Sequence, residues 1–529
     1  MKAFPTSLIQ LSITPAGIAL LMAGCPSAAP LDAVGLTAGG TKDIAEARAQ
    51  IDSGRVPDPN AITVEGFMAE HEIPIERPAD APEFYAAFGT AYRVPFDEPA
   101  PMGEVYVGLG TTIDINAFRR TPLNLAVVID VSGSMRDSAQ EPDDPNYNYY
   151  YAGAGFFDYL FGFEPPEVVT PVGERKIDSV KLALSRLIEH LTVDDQVTIF
   201  TFNDGVTQIL DTTAAGDVAR VRRSLDKIET GGATNIHKAL RTAYEQLIET
   251  GRDGLQSRVI LLTDAQPNVE PTGSIEFIPL VEQYANEGIG LTLLGVGWEF
   301  GSDLARQLSG VRGANSVYLS TNERIAAVFD QDFDFLVTPA AYDLTLDINI
   351  ASGIGVRDVY GVPDYYASGG QTARVSVPTL FFSRREGGSA IVVRLTTATP
   401  PDFSVAVDFG SIDLSFVLPD GTVRRQTQTL TLPTGIESDG DPAYFSSDGV
   451  RRAALLLDTA RVMKRATLLG WSGNRQAGGQ LITDFLVRYD TETLGMSDRL
   501  DETSRSLQDE RTLLTKLQGA IFGGYYYWN

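Results

Sequence analysis

Two patterns of apolar residues divide this chain. Between 119 and 338, short aliphatic runs alternate with helical stretches. Leu125 to Ile129, Val197 to Phe202, Arg258 to Asp264 and Gly290 to Val296 read as strands buried on both faces, with Ser316 to Leu319 closing the series. Val206 to Leu210 reads as a hairpin partner of 197–202 at the sheet edge. Ile177, Val180, Leu184, Leu187, Ile188 and Leu191 recur at helical spacing, and further helices are expected over 217–228, 236–250, 275–287 and 322–336. Such alternation predicts an α/β unit with a doubly wound, mostly parallel sheet.

From 339 to 432 the period shortens to two. Tyr342 to Ile350, Ala373 to Val377, Ala390 to Leu395, Phe403 to Phe409 and Ile412 to Leu418 are β-rich, and Pro419-Asp420-Gly421 signals a hairpin. The expectation is an antiparallel β-sandwich. Glu104 to Ile115 alternates in part and needs a sheet. It is expected to join the sandwich, so that the α/β unit is inserted there with its two ends side by side. A tilt between the two would then report ligand binding. Residues 433–529 read as a C-terminal helical region, mainly over 447–469 and 478–518. At the other end, 44–118 combines a helical lead-in with these early strands.

Length and charge narrow the picture. The chain has 529 residues, 43% hydrophobic and 21% charged, which is ordinary for globular protein. A formal net charge of −27 argues against nucleic acid and anionic lipid as partners. Cys25 is the single cysteine, which excludes an internal disulfide. It follows Lys2, an apolar stretch around Gly17-Ile18-Ala19-Leu20-Leu21, and Met22-Ala23-Gly24. That arrangement resembles a bacterial lipoprotein signal peptide over 1–24. The resemblance implies cleavage before Cys25, lipid on that residue, and outer-membrane sorting because Pro26 follows. A plain secretory signal with an incidental cysteine is the alternative. Small residues over 25–43 read as a flexible tether.

The candidate chemistry lies where the first central strand ends. Asp130, Ser132 and Ser134 stand at alternate positions after Ile129, with Gly133 to let the backbone turn. The carboxyl ends of strands are where open α/β sheets hold ligands. Carboxylate and hydroxyl oxygens are the donors that Mg²⁺ takes. Asp130-x-Ser132-x-Ser134 after a hydrophobic strand resembles the metal-ion-dependent adhesion site of von Willebrand factor type A domains. Downstream, Thr234 in Gly231-Gly232-Ala233-Thr234-Asn235 and Asp264 after Leu261-Leu262-Thr263 stand where that family's pattern continues. Read without the family, Thr234 would cap the next helix and Asp264 would end a strand. The resemblance implies that Ser132, Ser134 and Thr234 bind a divalent cation through hydroxyls, with Asp130 and Asp264 holding it directly or through water. The cation would be Mg²⁺ first, with Mn²⁺ or Ca²⁺ as substitutes. Ala265 stands where the family has Gly. The stretch 44–70, with Gly54-Arg55-Val56-Pro57-Asp58-Pro59 and then Glu65, and the C-terminal helices resemble those of bacterial lipoproteins carrying this domain.

An insert over 138–174 leaves the site loop directly. It holds Tyr149, Tyr150, Tyr151, Phe156 and Phe157, side chains efficient at making contacts. A recognition lid and a loop packed on its own domain are both open. No general base stands out: His71, His190 and His237 read as structural or surface residues, and no Ser-His-Asp signature, P-loop or zinc pattern occurs. With only two carboxylates among the donors, an ion would keep positive character and a replaceable water. The sequence therefore points to a non-enzymatic, lipid-anchored adhesion or scaffolding protein. Its partner would be a protein offering an Asp or Glu, with the membrane reached through the N-terminal lipid alone and the oligomeric state open. A metal-independent scaffold, or a non-catalytic subunit of an envelope enzyme or transport complex, is the alternative.

Overall fold

The computed structural model describes residues 33–41, 44–74, 76–139, 175–264, 274–297, 300, 307–308, 310–319, 321–362, 372–385, 390–397, 399, 401–436, 443–496 and 505–523. The expected signal peptide, Cys25, the five insert aromatics, Ala265 and the terminal Tyr and Trp residues lie outside these.

In chain order the strands are β1 (Ala33–Ala38), β2 (Gly40–Thr41), β3 (Phe84–Arg93), β4 (Met102–Asp114), β5 (Leu123–Asp130), β6 (Gln196–Phe202), β7 (Val206–Ala214), β8 (Gln256–Thr263), β9 (Gly290–Val296), β10 (Ala314–Leu319), β11 (Pro339–Ile350), β12 (Ile354–Tyr360), β13 (Thr372–Ser383), β14 (Ala390–Thr397), β15 (Val407–Val417), β16 (Val423–Leu432) and β17 (Ala443–Phe445). They form two sheets.

The first sheet has the order β2-β10-β9-β8-β5-β6-β7. All its pairs are parallel except β6 with β7, the hairpin at one edge. β5 sits in the middle, and its alternation explains why. Leu123, Leu125, Val127 and Ile129 face one core with helix Lys176–His190, while Ala126 and Val128 face another with helix Ile236–Thr250. The helix expected over 322–336 is continuous but changes pitch: Asn322–Ala327, a π turn at Val328–Asp332, then Phe333–Val337.

The second sheet has ten strands in antiparallel pairs, with the path β12-β14-β4-β1-β13-β11-β15-β16 and with β3 and β17 off it. Two separate facing sheets were expected here; the structure has one continuous sheet wrapped around its own core. β4 makes this possible. β3 runs along residues 102–111 of β4, so β14 (opposite 103–108) and β1 (opposite Gly110 and Asp114) share its other edge. The two halves then enclose one core, in which Val105, Val107 and Leu109 meet Leu344, Leu346, Val375 and Leu414. The free edges meet at Gln426, whose side chain accepts from Ala86 N–H (3.2 Å) and donates to Ala86 C=O (3.0 Å). Runs expected separately at 403–409 and 412–418 become one strand, β15, with a register shift beside Gly410.

β4 pairs with β14, as anticipated for 104–115. The tether is corrected. Within 25–43, residues Ala33–Ala38 form β1, wedged between β4 and β13, and Gly40–Thr41 form β2 on the edge of the first sheet. The predicted adjacency of the α/β unit's two ends changes with it, because β1 and β13 separate β4 from β11. The flanking segments still touch: Phe118 stacks on Phe335 with ring centroids 4.8 Å apart.

A third layer covers the second sheet. Helices Ala45–Asp52 and Val64–Ala69 pack with Asp448–Trp471, Arg475–Glu492 and Leu507–Gly523 around Phe67, Met68, Leu456, Met463, Phe485 and Leu514. Beneath it Arg93 and Arg394 bridge Glu104 of the sheet to Asp458 of the long helix, all four fully buried. Among the described residues no helix is long and apolar enough to cross a membrane.

Candidate metal centre

β5 carries Asp130 into the rim of the first sheet, where its side chain is wholly buried. Both carboxylate oxygens are oriented. Oδ1 accepts from the Ser132 N–H at 2.9 Å, and Oδ2 accepts from the Thr263 hydroxyl at 2.6 Å. The chain then turns through Gly133–Arg136. Ser132 Oγ lies 3.1 Å from Ser134 Oγ, and Ser134 Oγ donates to Asp264 Oδ1 at 3.1 Å. The other oxygen, Asp264 Oδ2, accepts from Lys176 Nζ at 2.9 Å. Asp130, Ser132, Ser134 and Asp264 are thus brought into one hydrogen-bonded cluster.

A neighbouring loop closes on this cluster by backbone contacts. Gly231 N–H donates to Val131 C=O (2.7 Å) and Gly133 N–H donates to Gly232 C=O (3.0 Å). Asn203 Nδ2 holds Gly231 C=O, and Asp204 accepts from Ala233 N–H. Gly232 has φ +88°, and a Cβ there would stand 2.5 Å from Asp204 Oδ2, so the turn requires glycine. Thr234 sits on this loop, exposed, with no hydrogen bond to the cluster among the described residues. It is not the helix cap: Asn235 takes that role, accepting from Lys238 N–H at 3.1 Å. Its hydroxyl is therefore not committed to the cap, and Thr234, like Ser134, is exposed.

Burial, and next the charge of Asp264, push the Asp130 carboxyl up to about 6, against the hydrogen bonds from Thr263 and Ser132. A buried carboxylate in that condition calls for positive charge. The donor set fits a hard divalent ion, since it consists of two carboxylates and the hydroxyls of Ser132, Ser134 and Thr234. Among the described residues no three His, Cys, Asp or Glu side chains gather, so any ion here depends on hydroxyls. Beside the site an open cavity of about 410 Å³ is lined by Arg136, Arg175 and Lys181 with Ile177, Ile228, Glu229 and Thr230.

Two members were not anticipated from sequence. Thr263 ends the aliphatic run of β8, where nothing in the sequence marks it as a partner of Asp130. Lys176 belongs to no motif, yet its position carries a signal. It lies four and eight residues before Val180 and Leu184, on the apolar face of its helix. Of the histidines, His71 is buried far along the chain beside Glu510, and His190 lies near Asp330. His237 is partly exposed near the start of helix Ile236–Thr250.

Comparison with known proteins bears on the domain that carries these residues. The family model for the von Willebrand factor type A domain matches residues 170–331, a stretch that includes Thr234 and Asp264 and begins after the Asp130 loop. Inter-alpha-trypsin inhibitor heavy chain H2 of Sus scrofa is 24% identical over 315 residues, 55% of this chain and 30% of that protein. The uncharacterized protein YfbK of Escherichia coli (strain K12) is 21% identical over 178 residues, 34% of this chain and 31% of that one. The chain spans less than a third of the length of the curated relatives it matches. Among solved structures, the von Willebrand factor type A protein from Catenulispora acidiphila aligns over 83% of this chain and 96% of its own, at 13% identity and TM-score 0.46. The chain thus carries a von Willebrand factor type A domain, matched over residues 170–331 of its α/β unit.

Proposed function

We propose that this protein is a lipid-anchored component of the bacterial cell envelope that captures an acidic side chain of a protein partner at a Mg²⁺-type site, without catalysis. The observation that carries the reading is the convergence of Asp130, Ser132, Ser134 and Asp264 in one hydrogen-bonded cluster, with Ser134 exposed on it and Thr234 exposed on the loop whose glycines close against it. With hydroxyls outnumbering carboxylates, a bound divalent ion stays electrophilic toward an incoming Asp or Glu. The cations Arg136, Arg175 and Lys181 beside the opening would steer such a group on a chain that is otherwise strongly acidic. The anchor reading rests on Cys25 and its leader, and the outer membrane on Pro26. β1 begins eight residues beyond Cys25, so a lipid there would hold the second sheet close to the membrane. The relatives named heavy chains of an inhibitor favour a protein partner.

The test is titration calorimetry of the full-length protein with Mg²⁺ and Mn²⁺, wild type against Asp130→Ala, followed by capture of partner with and without chelator. Metal binding lost in the variant, with chelator-sensitive capture, supports the proposal. Capture unaffected by chelator and by Asp130→Ala would favour a metal-independent scaffold instead. The Lys176–Asp264 ion pair is the observation that keeps that second reading in play, because it already neutralises one carboxylate.

A further inference from the structure

We propose that Lys176 is a built-in counter-cation of the metal-type site, which keeps Asp264 and Ser134 in position without an ion and weakens the hold on a divalent ion so that the bound ion retains charge for a partner carboxylate. This rests on reading residues 130–264 as a metal site.

The lysine is built in rather than incidental. It is fully buried, a condition lysine adopts only with a partner. Its backbone N–H donates to Asp137 C=O at 3.0 Å, which ties the helix start to the end of the site loop. Its stem crosses the end of β9 at Gly297, where a Cβ would stand 2.6 Å from Cε and 2.9 Å from Cδ. Gly297 has φ +84°, so a side chain is excluded there twice over, by conformation and by the lysine. The ammonium then reaches Asp264 Oδ2 at 2.9 Å, with side chains 0% and 3% exposed. The opposite oxygen of the same carboxylate accepts from Ser134. Lys176 therefore positions a candidate ligand and, through it, a second.

Charge sets the consequence. Among the described residues Asp130 and Asp264 supply two negative charges, and Lys176 offsets one. A divalent ion joining the site would leave it net positive, whereas the two carboxylates alone would neutralise the ion. A partner carboxylate is attracted more strongly to the first state than to the second. Repulsion between ammonium and ion in a buried site also keeps the ion exchangeable, since Coulomb energies there exceed those in water severalfold. Removing the lysine would leave Asp264 buried without that cation, and a metal ion would then take over its compensation.

Mn²⁺ binding to the full-length protein tests this, comparing wild type, Lys176→Met and Lys176→Arg. Lys176→Met should bind Mn²⁺ about tenfold or more tighter and lose stability in chelator, while Lys176→Arg, which keeps the charge, stays within about threefold of wild type. Binding that is unchanged or weaker in Lys176→Met overturns the role of the lysine and leaves the metal site standing. No Mn²⁺ binding by any of the three overturns the metal site and this inference with it. Should Lys176→Met fold only with Mn²⁺ present, the proposal is supported. Should it fold under neither condition, hydrogen exchange of the wild type in chelator decides. Slow exchange at the Ser132, Gly133 and Met135 amides supports a site held without an ion, and fast exchange overturns it.

Discussion

Glu510 shows how much a single buried carboxylate can hold. It lies on helix Leu507–Gly523 and receives Arg48 Nη1 and Nη2 at 3.1 and 2.8 Å, from helix Ala45–Asp52, with the His71 ring 3.3 Å away. Burial alone would raise its pKa, but the Arg48 charge and the His71 contact hold it down at about 2. A carboxyl whose folded pKa lies below its unfolded value stabilises the fold above that unfolded value, and this contribution is lost as pH falls. Stability of the wild type should therefore decline between about pH 4.5 and 2 as Glu510 takes up its proton. Glu510→Gln should be destabilised by about 1–3 kcal/mol at pH 7, because Arg48 loses one buried carboxylate while keeping Glu70, and should show a shallower decline over that acid range. Urea unfolding at a series of pH values checks both; parallel curves for the two proteins would refute the assignment. Residues of this kind are hard to see in a sequence, because Arg48 and Glu510 are 462 positions apart and each sits in an otherwise ordinary helix. Asp130, Ser132, Ser134, Thr234 and Asp264 were visible because each follows an apolar run or a glycine turn. Lys176 was the converse case, a charged residue at an apolar-face position whose partner lies 88 residues away.

Among the elements, those with a strong period were legible and those without one were not. β5, β6, β8 and β9 announce themselves as aliphatic runs, and β11 and β13 by alternation. β1 does neither. Ala33-Val-Gly-Leu-Thr-Ala38 is small enough to pass for a linker, and all six residues are buried, so no alternation marks it as a strand. Its place was fixed by long-range pairing with β4 and β13, which no local pattern encodes. The same applies to the closure of the second sheet. β3 and β16 are joined by the Gln426 amide, which serves Ala86 as a strand neighbour would. Ala86 is fully buried, so losing that side chain would leave its N–H and C=O unpartnered. Gln426→Leu should destabilise the protein by about 1–3 kcal/mol in denaturant unfolding. A change within about 0.5 kcal/mol would mean that the seam contributes nothing beyond an ordinary surface position.

At the scale of the whole molecule, the question is whether the von Willebrand A domain moves as a unit on the second sheet. Insertion between β4 and β11 alone would permit a tilt, with two flanking segments as the hinge. The structure places several further fastenings across the same boundary. β1 and β2 are separated by Gly39 alone yet belong to different sheets, and the Gly39 N–H donates to Thr379 C=O at 2.7 Å. The Thr379 hydroxyl, buried in β13, accepts from Gly313 N–H at 2.7 Å next to β10. Arg258 of β8 lies over the Phe381 ring of β13, 5.4 Å from its centroid, while donating to Thr292 Oγ1 and Gly313 C=O. Burial without a carboxylate lowers that guanidinium to about 10, a penalty borne where the two sheets meet. Phe118 adds contacts to Phe335 on one side and Phe382 on the other. A tilt would have to break these together, so a ligand captured at the proposed Asp130 site would reach the second sheet through small shifts at Thr379 and Phe381, not through a free hinge. The expected consequence is a single calorimetric unfolding transition for the full-length protein. Thr379→Val strands the Gly313 N–H and should lower stability by about 1–3 kcal/mol without splitting that transition. Two transitions in the wild type would show that the sheets unfold independently and that the boundary does not couple them.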